Sequence, residues 1–133
     1  MALRDELVQT LMERIDTRSE LSVRRDAIVV WHRLLGKFSP LIGPSSVHVL
    51  FRRSLNTNHA AFPWLPSIHG DESETELFTA FEAVLTSQPT DEVLKSTRAM
   101  LGSYIDALFT LIGTTLTVQF VCSVFRVDRP QGK

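Results

Sequence analysis

Apolar residues recur three or four positions apart along almost the whole chain, which is the spacing of one face of an α-helix. The pattern begins with Leu3, Leu7, Leu11 and Ile15. In chain order, the predicted helices cover 3–15, 19–35, 44–59, 71–85 and 90–125. The 133 residues are enough for one self-sufficient core. We therefore predict a single domain over 1–133: an all-α, irregular antiparallel bundle of five or six helices with a long, buried C-terminal helix.

Glycine and proline mark the predicted ends of these helices. Gly36 is placed to end the second helix, and Pro40 and Pro44 argue against one continuous helix beyond it. The tripeptide Leu-Ile-Gly occurs at 41–43 and again at 111–113. Its surroundings match too poorly to indicate a duplication, and they lack the glycines and lysine of a phosphate-binding loop. We interpret both copies as breaks between helices.

The stretch 107–125 allows three interpretations. It contains no charge and is long enough to cross a bilayer, but seven of its nineteen residues are Gly, Thr, Gln or Ser. Apolar residues also alternate over 115–125, as they do in a strand. A buried central helix with a kink at Gly113 fits best, because no second strand is evident. We expect no membrane span.

Charge and cysteine content narrow the class of protein. The formal net charge of −1 gives no general attraction to nucleic acid or to anionic membranes. The single cysteine, Cys122, excludes an internal disulfide and fits the reducing cytoplasm. No catalytic, metal-binding or cofactor-binding constellation stands out. These features favour a non-enzymatic regulatory or protein-interaction module with a protein partner.

Charges are also ordered along the chain. No Asp or Glu lies between Asp26 and Asp71, and that gap contains all four histidines. At helical spacing, His48, Arg52 and His59 fall within about 40° of one another. This face suits an anionic ligand or an acidic partner, so a small-molecule or anion sensor is the alternative function. Two histidines eleven positions apart cannot hold one metal ion.

The segment "WHRLLGKF" resembles the phosphorylation site of histidine-phosphotransfer domains. His32 and Gly36 match that pattern, but Leu35 stands where the pattern has lysine, and Pro40 is expected to end the helix. A phosphotransfer role for His32 is a lesser alternative. The simpler interpretation is that His32 is the exposed neighbour of a core residue, Trp31.

Asp106 is the only charged residue between Arg98 and Arg126. It must face water or pair with a base, and we expect an ion pair. Small and polar residues share its side of the helix, where a second subunit could approach closely. The predicted homodimer interface comprises Gly102, Ser103, Asp106, Gly113 and Thr117.

Two prolines hold the apolar loop "FPWLP" at 62–66. Such a loop usually covers the end of a bundle. The alternative is a docking site in which Trp64 anchors a partner.

Taken together, "PLIG", "LFRRSL", "FPWL" and "TLIGTTLT" resemble short uncharacterised helical proteins of bacteria, some of them linked to signalling. The resemblance covers 38–125. It implies a regulatory module and brings no catalytic residues with it.

Overall fold

The structure, a computed structural model, describes residues 3–66 and 74–126, and within these stretches the chain forms six α-helices. In order they are α1 (Leu3–Met12), α2 (Glu20–Ile42), α3 (Pro44–Asn58), α4 (Glu74–Leu85), α5 (Thr90–Ile112) and α6 (Thr114–Arg126). Neither stretch contains a strand. The all-α prediction is confirmed, and 115–125 is helical. His69 and the start of the acidic segment, 71–73, lie outside the described residues.

The prediction that α2 ends at Gly36 is wrong. The helix continues through Gly36 and Pro40 to Ile42. Pro40 lies in the last turn and lacks the N–H that would bind the Gly36 carbonyl, so it removes one bond from the helix. Leu34 and Phe38 are fully buried on this part of α2. Their burial outweighs the weak local preference for helix.

The break at Gly113 is confirmed, and it matches the break at Gly43. Both glycines have φ of 92°, with ψ of 161° and 147° respectively. This backbone region is essentially restricted to glycine. The N–H of Gly43 donates to the Ser39 carbonyl at 2.8 Å, and that of Gly113 to the Phe109 carbonyl at 2.9 Å. The two Leu-Ile-Gly copies therefore form the same helix–glycine–helix corner, and the long C-terminal helix is in fact two helices.

The 70-position spacing of the two corners extends to the helices around them. α2 and α5 each contain 23 residues and begin and end 70 positions apart. Their buried side chains correspond as Val23 and Val93, Ala27 and Thr97, Val30 and Met100, Trp31 and Leu101, Leu34 and Tyr104, and Phe38 and Leu108. The short helices correspond through Leu7 and Leu77, and Leu11 and Phe81. An alignment of the two halves by identical residues does not detect this correspondence, because Trp is matched by Leu and Leu by Tyr.

Trp31 lies at the centre of the core. Its ring makes edge contacts with Phe51 at 5.4 Å, Phe81 at 6.1 Å and Tyr104 at 5.6 Å between centroids. These four residues come from α2, α3, α4 and α5, so one aromatic cluster joins four helices.

α5 is the central helix, packing against α1, α2, α3 and α6. The backbones of α1 and α5 approach closely, whereas α4 reaches its neighbours mainly through aromatic side chains. Among the described helices, none combines the length and apolarity needed to cross a bilayer.

Candidate functional site

A cleft of about 410 Å³ opens between α2, α3 and α4. It is lined by His32, Leu35, Gly36, Ser39, Pro44, Val47, His48, Phe51, Phe78, Thr79 and Glu82. The lining residues of each helix are spaced three or four apart or are direct neighbours, so each helix turns a single stripe towards the cleft. The volume lies in the range of about 300–1,000 Å³ typical of small-molecule sites.

Aromatic rings dominate one part of this cleft. The ring of His32 lies 4.6 Å from that of Phe78, at an interplanar angle of 54°. Phe78 in turn lies 5.6 Å from Phe51. Leu35 and Val47 extend the apolar lining. A flat apolar molecule can contact several of these groups at once.

Polar groups surround this apolar part. The imidazoles of His32 and His48 can each donate or accept a hydrogen bond, and Ser39 supplies a hydroxyl. Glu82, from α4, is exposed and is the only carboxylate among the described residues that line the cleft. An apolar cleft with a few polar groups is the arrangement that fixes the orientation of a small ligand.

The predicted His48, Arg52 and His59 face is only partly reproduced. His48 is half-buried and lines the cleft, but Arg52 and His59 lie further along α3 and do not line it. His59 is the C-cap of α3, and its N–H donates to the Asn56 carbonyl at 3.4 Å. The structure instead places His48 in the same cleft as His32, although the sequence analysis assigned these two histidines to different sites. A phosphotransfer role for His32 stays a prediction, and Leu35, in the lysine position, lines the cleft.

Trp64 is engaged within the chain. Its indole N–H donates to Glu92 at 3.2 Å, and its ring packs against Phe62 at 6.0 Å between centroids. The neighbouring Leu65 is buried. These contacts support the interpretation that the loop covers the bundle.

The predicted interface strip is largely occupied by packing within the subunit. Asp106 pairs with Arg4 at 3.0 Å, which confirms the expected ion pair. A Cβ added to Gly102 would lie 3.3 Å from the Arg4 guanidinium. Thr117 is buried and donates its hydroxyl hydrogen to the Gly113 carbonyl at 2.8 Å. Gly113 itself forms the α5–α6 corner.

Ser103, the remaining residue of that strip, faces α3. Its hydroxyl lies 2.9 Å from that of Ser54 and accepts from the Asn58 amide at 2.9 Å. Ser54 and Asn58 are buried. This network explains why a small polar residue occurs at 103 without a second subunit.

Sequence reasoning missed most of the cleft. Gly36, Phe78 and Glu82 belong to it, and periodicity alone gives no sign of which helices α4 lies against.

Among the described residues, no group of three or more His, Cys, Asp or Glu is arranged to hold a metal ion. Comparison with known proteins found no matching family model, no matching curated protein and no matching solved structure. Function therefore has to be inferred from the chain's own geometry.

Proposed function

We propose that the protein is a non-enzymatic regulatory module that binds a small organic molecule in the cleft between α2, α3 and α4. The observation that carries this proposal is the cleft itself, with its apolar lining and its two imidazoles. His48 thus keeps its expected place in a ligand-binding site. Its partner in that site is His32 of α2, and Arg52 and His59 of α3 do not take part. The free thiol of Cys122 supports a cytoplasmic location.

A ligand here can act on the position of α4. The cleft residues Phe78, Thr79 and Glu82 all lie on that helix, whose Phe81 reaches into the core. A molecule that contacts α4 together with α2 and α3 binds more tightly when α4 lies against them than when α4 lies elsewhere. This difference in affinity stabilises the docked position of α4. A partner protein can then respond to the position of α4.

Gly36→Leu tests the proposal. A Cβ at Gly36 meets no atom within 4 Å, and Gly36 lines the cleft, so a larger side chain at this position takes up space in the cleft. Leucine is also a better helix former than glycine, by about 0.5–1 kcal/mol. The variant should therefore fold at least as stably as the parent protein and lose ligand binding. A fragment library of neutral, acidic and basic compounds, measured by NMR and thermal shift, is the assay.

Val29→Leu is the matched control, because Val29 is exposed on α2 and does not line the cleft. Fragments that bind the parent and Val29→Leu but not Gly36→Leu support the proposal. If the parent binds no fragment at millimolar concentration, or if Gly36→Leu binds the same fragments equally well, the proposal is wrong.

A second candidate function is self-association through the α5–α6 corner. Leu111 and Leu116 lie on either side of Gly113 and are 53% and 39% exposed. Leucines this exposed beside a corner favour a homodimer contact there, since burying them removes apolar surface from water. The contact differs from the predicted one, because Gly102 and Ser103 are covered by Arg4 and α3.

A further inference from the structure

The 70-position correspondence gives the cleft a counterpart in the other half of the molecule. The cleft lies between α2, α3 and α4, and the equivalent helices are α5, α6 and α1. In each half, the short helix packs against the long helix of the other half. The two sites can therefore be compared position by position.

The counterpart is closed. α1 lies against α5, with Val8 buried and Arg4 reaching over Gly102 to pair with Asp106. A Cβ at Gly102 would lie 3.3 Å from the Arg4 guanidinium, so glycine here leaves room for the Arg4 side chain to cross α5.

At the positions equivalent to Gly102 and Val8 of the closed counterpart, the cleft has larger side chains. His32 occupies the position of Gly102, and Phe78 occupies that of Val8. Their rings lie against each other at 4.6 Å and occupy the space between α2 and α4. The carboxylate of the counterpart, Asp106, is replaced by Gly36, which leaves open space. The same scaffold is thus closed on one side and holds a cavity on the other.

The replacements also set the charge of the cleft. Imidazoles stand at His32 and His48, where the counterpart has Gly102 and Val118. The chain has no Asp or Glu between Asp26 and Asp71, so neither the lining part of α2 nor α3 supplies a carboxylate. Glu82 of α4 also lines the cleft, but its side chain is exposed. An N–H of an imidazole ring donates a charge-assisted hydrogen bond to an ionised carboxylate. The rings beside them suit an aromatic body.

We propose that the cleft is the open member of a pair of corresponding helix-packing sites and that it binds a small aromatic monocarboxylate. The ligand's ring lies against Phe78 and Leu35, and its carboxylate accepts hydrogen bonds from His32 and His48. This inference rests on the proposed function and adds to it the chemical class of the ligand.

The experiment compares phenylacetate, phenylacetamide and phenethylamine, which share a ring and differ in the charge of the polar group. Each is titrated into the 133-residue chain and followed by NMR chemical shifts. Phenylacetate should bind roughly tenfold or more tightly than the other two, the difference expected when charge-assisted hydrogen bonds are lost. His32→Gln and His48→Gln should each weaken phenylacetate binding and reduce this preference. Gly36→Leu should abolish binding.

Equal or tighter binding of the amide or the amine, abolished by Gly36→Leu, would overturn the carboxylate class and leave the cleft as a ligand site. Phenylacetate binding that persists in Gly36→Leu would place the ligand elsewhere and overturn the inference. If no member of the series binds and the fragment library also gives no ligand, the proposed function fails together with the inference. His32 is exposed and His48 half-buried, so both variants should keep the parent's helical circular dichroism signal, which is checked first.

Discussion

Tyr104 carries a hydroxyl into the centre of the bundle. Its side chain is fully buried, and among the described residues the hydroxyl has no hydrogen-bond partner. The same holds for the Trp31 indole N–H and the Thr97 hydroxyl. A buried polar group without a partner costs about 1–3 kcal/mol. The aromatic packing around Trp31 is therefore retained at some cost in stability.

Tyr104→Phe should raise the free energy of unfolding by about 1 kcal/mol at neutral pH, because it removes the unpaired hydroxyl and keeps the ring. Burial also raises the pKa of Tyr104. The phenol therefore ionises first in the unfolded chain, and the parent should lose stability as the pH rises through about 10. The variant should lose less. Urea denaturation on both sides of that pH measures the difference, and tyrosinate absorbance reports on Tyr104 alone, the only tyrosine of the chain.

Thr97→Val is the control for this prediction. It removes another buried, unpaired hydroxyl and adds no titrating group, so it should raise stability without altering the alkaline dependence. A Tyr104→Phe variant less stable than the parent would show that the hydroxyl has a hydrogen-bond partner after all.

At the scale of helices, the two corners depend on glycine. Gly43→Ala and Gly113→Ala should each lower the free energy of unfolding by about 1–3 kcal/mol, because their backbone region is essentially closed to other residues. Gly36→Ala is the matched control. It lies inside α2 with open space at its Cβ, so it should raise stability by about 0.5–1 kcal/mol. Urea denaturation of the three variants is the measurement, and equal effects at all three positions would contradict the assignment of the corners.

The all-α class and the approximate places of the helices followed from the sequence, because apolar spacing records which side of each helix is buried. The end of α2 did not follow, since Gly36 and Pro40 are local signals and the burial of Phe38 is a tertiary effect. The cleft was predicted only at His48, because its other residues come from helices whose mutual positions depend on packing. The pairing of Asp106 was expected, but its partner, Arg4, lies 102 positions away and gives no sequence signal.

The whole molecule combines a nearly symmetric scaffold with two unlike sites. The contacts of α2 with α3 correspond to those of α5 with α6, and the contacts of α3 with α5 correspond to those of α6 with α2. The packing of α3 on α5 is more extensive than that of α6 on α2. The docking of the short helices differs as well, because Arg4 of α1 pairs with Asp106 of α5, whereas the rings of His32 and Phe78 lie between α2 and α4. A scaffold with one closed side can keep its fold while the other side specialises in binding.

A homodimer contact at the α5–α6 corner would be a property of the whole molecule. If the α5–α6 corner forms a homodimer, Leu111→Gln together with Leu116→Gln should convert it to a monomer, because both exposed leucines lose the apolar surface that the contact would bury. Light scattering at micromolar concentration measures the mass. Leu21→Gln is the control: Leu21 is 71% exposed in the first turn of α2, so its loss should leave the dimer intact. Gly113→Leu is unsuitable as a test, since its φ of 92° would strain the corner itself. A parent protein that stays monomeric at every accessible concentration would exclude the contact.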